Sequence, residues 1–372
     1  MTTRRLGLIG STAIGLASML GAGLFVVFPE AARAAGSAVM AALAIAGAVA
    51  LCNAWSSARL AARMPRSGGA YVYGRERLGV PWGVLAGGAF IVGKTASCAT
   101  MALAIGWYAW PDHHRWAAVV ALVVVAAVNV TGIERSAAVA VAIAAVVIGT
   151  VAVALLSSQS RDVAELPAGD VGGTLRAAAL LFFAFAGYAR LATLGGEVKR
   201  PAVTIPRAIT LAVVIVGAVY AVSLWVMTTR LGADLATTAA PFVGLLDPAS
   251  PLRGVVRVVT AVSVGGALLA LTVGISRTAS VMAEDGVLPR AVRATNRHGA
   301  PWSAELVVAV AAALLVTRLD VGDAVAVSSV CVLLYYSVAN AAAWTLGGAV
   351  GRTIAVLGLA GCVTLASALL IT

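Results

Sequence analysis

The chain carries, near its N-terminus, the run Gly15-Leu16-Ala17-Ser18-Met19-Leu20-Gly21-Ala22-Gly23-Leu24-Phe25. This run lies inside an apolar segment that extends from about residue 7 to residue 28. Glycine weakens a helix by about 1 kcal/mol relative to alanine, so Gly21 and Gly23 predict an interruption halfway along the segment. Close packing of small residues against a neighbouring helix is the alternative interpretation.

A second apolar segment contains a similar irregularity, in the run Phe182-Phe183-Ala184-Phe185-Ala186-Gly187-Tyr188-Ala189-Arg190. Here a glycine and an arginine fall in the middle of a segment that is otherwise long enough to cross a membrane. Charged residues inside such segments are rare and usually functional. This run therefore predicts a second interrupted helix.

The composition excludes a water-soluble globule. Of the 372 residues, 61% are hydrophobic and 11% are charged, whereas an ordinary soluble domain has about 25% charged residues. A helical span needs about 20 apolar residues. We predict an all-α polytopic membrane protein with about eleven transmembrane helices, near residues 7–28, 37–58, 82–107, 116–132, 137–157, 174–194, 207–229, 254–276, 302–317, 321–347 and 353–371.

Loop charges predict the orientation. Sixteen Lys and Arg residues fall on the side of the N-terminus, against seven on the opposite side. Because basic residues collect in cytoplasmic loops, we predict a multi-pass protein of the cytoplasmic membrane with a cytoplasmic N-terminus.

The interrupted segments hold corresponding positions in two groups of five spans. We predict a first repeat over residues 1–158, a second over 159–348, and an additional C-terminal helix over 349–372. Since five is odd, the second group is inserted upside down, and interrupted helices in inverted halves are typical of a transporter's midplane binding site. A broken helix presents free amides at one end and free carbonyls at the other. Together these suit a zwitterion.

Other chemistries are not supported by the sequence. Gly88–Thr95 matches a phosphate-loop pattern but lies within a continuous apolar stretch, where free amides would be costly. The adjacent His113 and His114 and the four separated cysteines lack metal-ligand spacing. We expect no cofactor, no metal, no nucleic-acid partner and no enzymatic activity.

Five motifs in order resemble those of the amino acid-polyamine-organocation transporters, whose members share the five-plus-five inverted repeat with discontinuous helices 1 and 6. The motifs are Gly21–Phe25, Pro65–Tyr71, Phe182–Tyr188, Gly196–Ile209 and Ser276–Pro289. Three departures accompany the resemblance: Arg190 and Gly196 stand where acids are common, and the chain has about eleven spans where twelve are usual.

The resemblance implies a substrate site at the two interruptions. Amides of Gly21, Ala22 and Gly23 would hold the substrate carboxylate, and carbonyls near Ile14 and Gly15 and from Phe182 to Phe185 would hold its ammonium. Ala186 and Gly187 complete the predicted site. Phe185 is predicted to cover the substrate as a gate, with core packing as the alternative.

Lys94 is the predicted proton-coupling residue. It lies in the third span with no acid three or four residues away, and proton-coupled relatives use a lysine of the fifth span, where this chain has none. A structural ammonium bonded to helix-end carbonyls or to Ser97 is the alternative. Sodium coupling is less favoured, because Gly265-Gly266-Ala267 stands where hydroxyls would be expected. Lys94 and Arg190 make the predicted cavity positive, which favours neutral or acidic amino acids.

The sequence thus predicts a secondary active transporter that moves an amino acid or related amine by alternating access, coupled to protons or working by exchange. Its partners would be the small-molecule substrate, H⁺ and the lipid bilayer. A non-transporting membrane sensor with the same fold is the alternative.

Overall fold

The structure is a computed structural model that describes residues 6–64, 68–130, 137–159, 163–192, 198–295 and 301–371. The described residues form fifteen α-helices joined by short turns. They are α1 (Leu8–Met19), α2 (Ala22–Ala35), α3 (Val39–Arg63), α4 (Ala70–Leu78), α5 (Val80–Ala109), α6 (His114–Val130), α7 (Ala137–Leu156), α8 (Val171–Phe185), α9 (Ala189–Ala192), α10 (Pro201–Leu231), α11 (Pro241–Gly244), α12 (Leu252–Glu284), α13 (Trp302–Arg318), α14 (Val321–Trp344) and α15 (Ala349–Leu370).

These helices confirm the predicted all-α membrane fold. Within the described residues, eight helical stretches are long and apolar enough to cross a membrane, and one of them, Gly23–Arg63, contains both α2 and α3. Each of the eleven predicted spans coincides with a helix or with a pair of helices. The first span is the pair α1 and α2, and the sixth is the pair α8 and α9.

The first span is interrupted at the predicted glycines. The last regular bond of α1 runs from the Leu20 N–H to the Leu16 carbonyl at 2.8 Å. Gly21 then leaves helical geometry, with φ −92° and ψ −141°, and α2 begins at Ala22. The discontinuity therefore consists of two residues of non-helical backbone.

The sixth span is interrupted differently. α8 ends at Phe185, and a single 3₁₀ turn over Ala186–Tyr188 leads directly into α9. A 3₁₀ turn changes the hydrogen-bond pattern from i−4 to i−3 without opening the chain. The second interruption is thus a tightening of the helix rather than a gap.

The two halves of the first span differ in burial. Every residue from Gly23 to Pro29 is buried, whereas Ile14, Leu16 and Ser18 of α1 are partly exposed. The far end of α2 is held by Arg33, whose guanidinium donates to the Ala236 carbonyl at 2.7 and 3.1 Å. The first half of α2 is therefore packed more tightly than the last turns of α1.

A backbone hydrogen bond joins the N-terminal end of the first span to the segment that follows the sixth span. The N–H of Lys199, a short distance after α9, donates to the Leu6 carbonyl just before α1 at 2.8 Å. Leu6 and Val198 form an isolated parallel bridge at the same place. The start of the first span is thus bonded to the segment that follows the sixth.

Two of the resembling motifs meet on the α1 side. Tyr71 donates to the Asp285 carboxylate at 2.5 Å, and Arg75 contacts both, at 2.9 Å from the Tyr71 hydroxyl and 3.0 Å from Asp285. Burial raises the pKa of Tyr71, and the hydrogen bond to Asp285 adds to the rise, so this hydroxyl keeps its proton. These motifs tie α4 to the end of α12. Pro65–Ser67 of one motif, and Gly196 and Glu197 of another, lie outside the described residues.

A proline in α2 leaves one backbone carbonyl without its helical donor, and a side chain of α5 supplies a hydrogen bond in its place. Pro29 lies inside α2 and has no N–H, so the carbonyl four residues earlier, that of Phe25, loses its helical donor. The hydroxyl of Tyr108 donates to that carbonyl at 3.2 Å. The side chain therefore replaces the missing backbone bond.

Tyr108→Phe is expected to lower the free energy of unfolding by about 1–3 kcal/mol, because the Phe25 carbonyl is then buried without a donor. Pro29→Ala restores a backbone N–H, so Tyr108→Phe should cost much less in that background. Denaturant titration of the four proteins in detergent measures this coupling. An equal cost in both backgrounds would contradict the replacement of the backbone donor by the hydroxyl.

Candidate functional site

The two interruptions lie directly against each other. A Cβ atom added at Gly187 would lie 2.5 Å from the Ser18 carbonyl oxygen, and one added at Gly23 would lie 2.5 Å from the Ala184 Cα. Contacts this short leave no room for a side chain at either position. The glycines therefore let the backbones of the first and sixth spans touch at mid-length.

A cavity of about 60 Å³ lies beside this contact. Its walls come from α1, α2, α5, α8, α9, α12 and the 3₁₀ turn, and most of its lining is apolar. The lining residues are Ser18, Met19, Gly23, Phe90, Lys94, Ser97, Met101, Phe183, Ala184, Ala186, Gly187, Ala189, Arg190, Ala267, Ala270, Leu271 and Gly274.

Two cationic side chains line the cavity. Lys94 is only 6% exposed, and its Nζ donates to the Ala186 carbonyl in the 3₁₀ turn at 3.4 Å. Arg190 follows from α9. None of the lining residues in the described part of the chain is an acid. The cavity lining therefore includes two basic side chains.

Five of the residues predicted for the site line this cavity: Gly23, Lys94, Ala186, Gly187 and Arg190. Gly21 lies close by, since a Cβ added there would be 3.0 Å from the Cβ of Ala267 in the cavity wall. Ala22 begins α2, so its backbone amide belongs to the free first turn of that helix.

Ile14 and Gly15 lie deeper in α1, before the interruption. The Ile14 carbonyl accepts a hydrogen bond from Ser18 Oγ at 2.8 Å, and Gly15 packs on Leu191, whose Cδ1 would be 2.6 Å from an added Cβ. Neither residue lines the cavity. The carbonyls that leave the helical pattern are those of the last turn of α1, and Met19 in that turn does line the cavity.

The aromatic residues of α8 are distributed on different faces. Phe185 is buried against Tyr220 of α10, with ring centroids 5.2 Å apart, and Phe182 packs on Tyr336 of α14 at 5.8 Å. Neither reaches the cavity, whereas Phe183 does. Residues two positions apart lie on nearly opposite sides of a helix, so Phe183 and Phe185 cannot both face the cavity.

The spacing of residues in α5 indicates that more of this helix than the predicted Lys94 lines the cavity. Phe90, Lys94, Ser97 and Met101 all line the cavity, and their spacing of four, three and four residues places them on one helical face. The Ser97 hydroxyl shares a hydrogen bond with Ser328 Oγ of α14 at 2.7 Å. Lys94 therefore belongs to a face of α5 that lines the cavity along several turns.

The arrangement can hold a small zwitterion. The first amides of α2 have no helical acceptor and form the positive end of a helix dipole. Met19 in the last turn of α1 and Ala186 in the 3₁₀ turn also line the cavity, and each has a backbone carbonyl. A carboxylate suits the amides, and an ammonium group suits the carbonyls.

Comparisons with known proteins agree with this architecture. The family model described as amino acid permease matches residues 10–365. An uncharacterized transporter of Mycobacterium tuberculosis is 51% identical over 379 residues, which cover 98% of this chain and 86% of that protein. Cationic amino acid transporter 7 of Arabidopsis thaliana is 27% identical over 391 residues, which cover 95% of this chain and 66% of that protein.

A solved structure shares the fold. The crystal structure of a mutant manganese transporter from Eremococcus coleocola superposes with a TM-score of 0.63 and covers 98% of this chain and 85% of that chain. The sequence identity is 13%, so this likeness concerns the fold alone.

Gly187→Ala and Gly23→Ala are each expected to lower the free energy of unfolding by about 1–3 kcal/mol, because the added methyl group overpacks a backbone contact. Gly88→Ala in α5 is the matched control, since nothing lies within 4 Å of a Cβ added there; it should leave stability unchanged or raise it slightly. Denaturant titration in detergent compares the three. If all three variants unfold alike, the close contact between the spans is not a constraint.

Proposed function

We propose that this chain, which belongs to the amino acid permease family, transports a small neutral or acidic amino acid across the cytoplasmic membrane by alternating access. It is a multi-pass membrane protein with the helical fold of that family. The observation that carries the proposal is the cavity where the first and sixth spans are interrupted side by side.

Each end of the substrate has a proposed partner in this cavity. The amides of Gly21, Ala22 and Gly23 bind the carboxylate, because they open α2 and have no helical acceptor. The ammonium group binds carbonyls at the interruptions, among them that of Ala186. Both sets of partners are backbone groups, so the binding of the amino acid backbone is independent of the substrate side chain.

Phe183 replaces Phe185 in our proposal for the aromatic residue that contacts the substrate. Phe183 lines the cavity, whereas Phe185 is 1% exposed and packs between Tyr220 and Gly47, whose added Cβ would lie 3.7 Å from its ring. An aromatic face in the cavity contributes apolar contact to a small side chain.

The difference in burial between α1 and α2 supports alternating access. Residues Gly23 to Pro29 of α2 with described side chains are buried, whereas Ile14, Leu16 and Ser18 of α1 are partly exposed, and in this proposal the cavity opens on the side on which α1 begins. If the N-terminus is cytoplasmic, as the loop charges predict, this arrangement is the one that faces the cytoplasm.

The charges in the cavity select against cationic substrates. The buried ammonium group of Lys94 lines the cavity and donates to the Ala186 carbonyl, so it would repel a second positive charge on the substrate. This differs from what the name of the Arabidopsis relative states for that protein. The small size of the cavity also favours small side chains.

Counterflow into proteoliposomes tests the substrate class. Radiolabelled alanine, serine or glutamate should accumulate when the same unlabelled amino acid is present inside, whereas lysine and arginine should give at least about tenfold less, because they add charge to a positive cavity. Empty liposomes are the control. Binding without counterflow would favour the sensor, and preferred uptake of arginine would contradict the proposed role of the cavity charges.

Lys94 couples protons to substrate in this proposal. Its ammonium group donates to the Ala186 carbonyl, which is also a proposed partner of the substrate ammonium. Loss of a proton from Lys94 removes a competing positive charge and releases this carbonyl. Substrate binding and proton release at Lys94 are thereby linked, since each favours the other.

Lys94→Ala should abolish accumulation driven by an outward proton gradient, in which protons leave the vesicle as substrate enters, while leaving counterflow measurable, because the proton carrier is lost and the backbone binding groups remain. Lys199→Ala is the matched control, as Lys199 is the other lysine of the chain and is exposed outside the cavity. Uptake at several imposed pH gradients measures the effect. Wild-type gradient dependence in Lys94→Ala would refute the coupling role.

A further inference from the structure

One side chain contacts the backbone of both interrupted spans. Tyr220 of α10 is fully buried, and its hydroxyl oxygen lies 2.5 Å from the Met19 carbonyl oxygen and 3.0 Å from the Ala184 carbonyl oxygen. Met19 is the last residue of α1, and Ala184 is in the last turn of α8. The Met19 carbonyl lies at the end of α1, where regular backbone donors run out, and the Ala184 carbonyl lies where α8 passes into the 3₁₀ turn.

The Tyr220 hydroxyl shares its proton between two carbonyl oxygens. A tyrosine hydroxyl has one proton, so it can donate fully to one carbonyl at a time, and both carbonyls are within hydrogen-bond distance. A stronger hydrogen bond to the carbonyl of one span therefore means a weaker hydrogen bond to the carbonyl of the other span. The hydroxyl links the positions of the two helix ends rather than supporting each of them separately.

The ring of Tyr220 is held by aromatic side chains from the same two spans. Phe28 of α2 meets it edge to face with centroids 5.8 Å apart, and Phe185 of α8 does so at 5.2 Å. Aromatic pairs of this geometry contribute more than their buried area alone. The hydroxyl is thus aimed at the contact between the interruptions, and this gives Phe185 a role outside the cavity.

We propose that Tyr220 is a positioning residue that sets substrate affinity by holding the ends of α1 and α8 in register. The inference rests on the proposed function of the cavity. The substrate carboxylate is bound on the first span, and its ammonium group contacts the carbonyls of both spans. A change in the spacing of the two helix ends misaligns both groups of partners together, so removal of one hydroxyl weakens binding of the whole zwitterion.

Tyr108 provides a matched control for this proposal. It is also fully buried, and its hydroxyl also donates to a backbone carbonyl, that of Phe25. That carbonyl belongs to α2 beyond the interruption, and Tyr108 does not line the cavity. Loss of this hydroxyl therefore affects stability without changing the spacing of the two helix ends.

The test compares Tyr220→Phe with Tyr108→Phe, using alanine as the probe. Tyr220→Phe should raise the KM for alanine counterflow and the Kd for alanine in detergent by about tenfold or more, the effect expected for a lost buried hydrogen bond at a binding site, with a smaller change in the maximal rate. Tyr108→Phe should leave both constants within about twofold of the wild type. Substitution of Tyr220 by para-aminophenylalanine, which has two N–H donors, should restore affinity.

Two results would overturn the inference: equal affinities in Tyr220→Phe and Tyr108→Phe, or no recovery with para-aminophenylalanine. Where Tyr220→Phe does not fold, para-fluorophenylalanine at the same position fills the space of the hydroxyl without donating. Direct binding separates this inference from the proposed function. A wild-type protein that binds alanine without counterflow contradicts transport, whereas the Kd values of the variants still decide the role of Tyr220.

Discussion

Backbone groups that leave a helix inside a membrane have no water to bond to, so each of them must find a partner within the protein. This requirement governs the centre of the molecule. Side chains from three other spans donate to carbonyls at the interruptions. The pairs are Tyr220 with Met19 and Ala184, Ser263 with Leu20, and Lys94 with Ala186. None of these bonds involves the amides at the start of α2, which include that of Gly23 in the cavity lining and are the groups proposed to bind the substrate carboxylate.

The same requirement explains the position of the glycines. The freed backbone of one span can be reached only if the other span comes close, and Gly23 and Gly187 permit that approach. The cavity beside this contact is small, and α5 and α12 close its remaining sides. The close approach of the two spans thus depends on a glycine in each of them.

Much of this architecture could be predicted from the sequence, because hydropathy and glycine act locally. Gly21 and Gly23 indicated the first interruption, and the apolar runs indicated the spans. The orientation of side chains around α8 could not be predicted in the same way. Phe183 and Phe185 are two positions apart and therefore lie on nearly opposite faces of α8. Which of these faces meets the cavity depends on how α8 packs against α3 and α10. Tyr220 gave no signal, because it lies in an ordinary apolar run and its importance arises from distant carbonyls.

The hydrogen bond between Lys199 and Leu6 has a mechanical consequence. It fastens the free end of α1 to the connection that leads from α9 into α10, while Tyr71 and Asp285 fasten α4 to α12. The first contact groups α1 with α10 and the second groups α4 with α12, and the cavity lies at the seam between these groups, since α1 and α12 both line it. A swing of α1 away from α12 would carry the start of α10 with it, so the seam would widen along its whole length instead of parting at one helix.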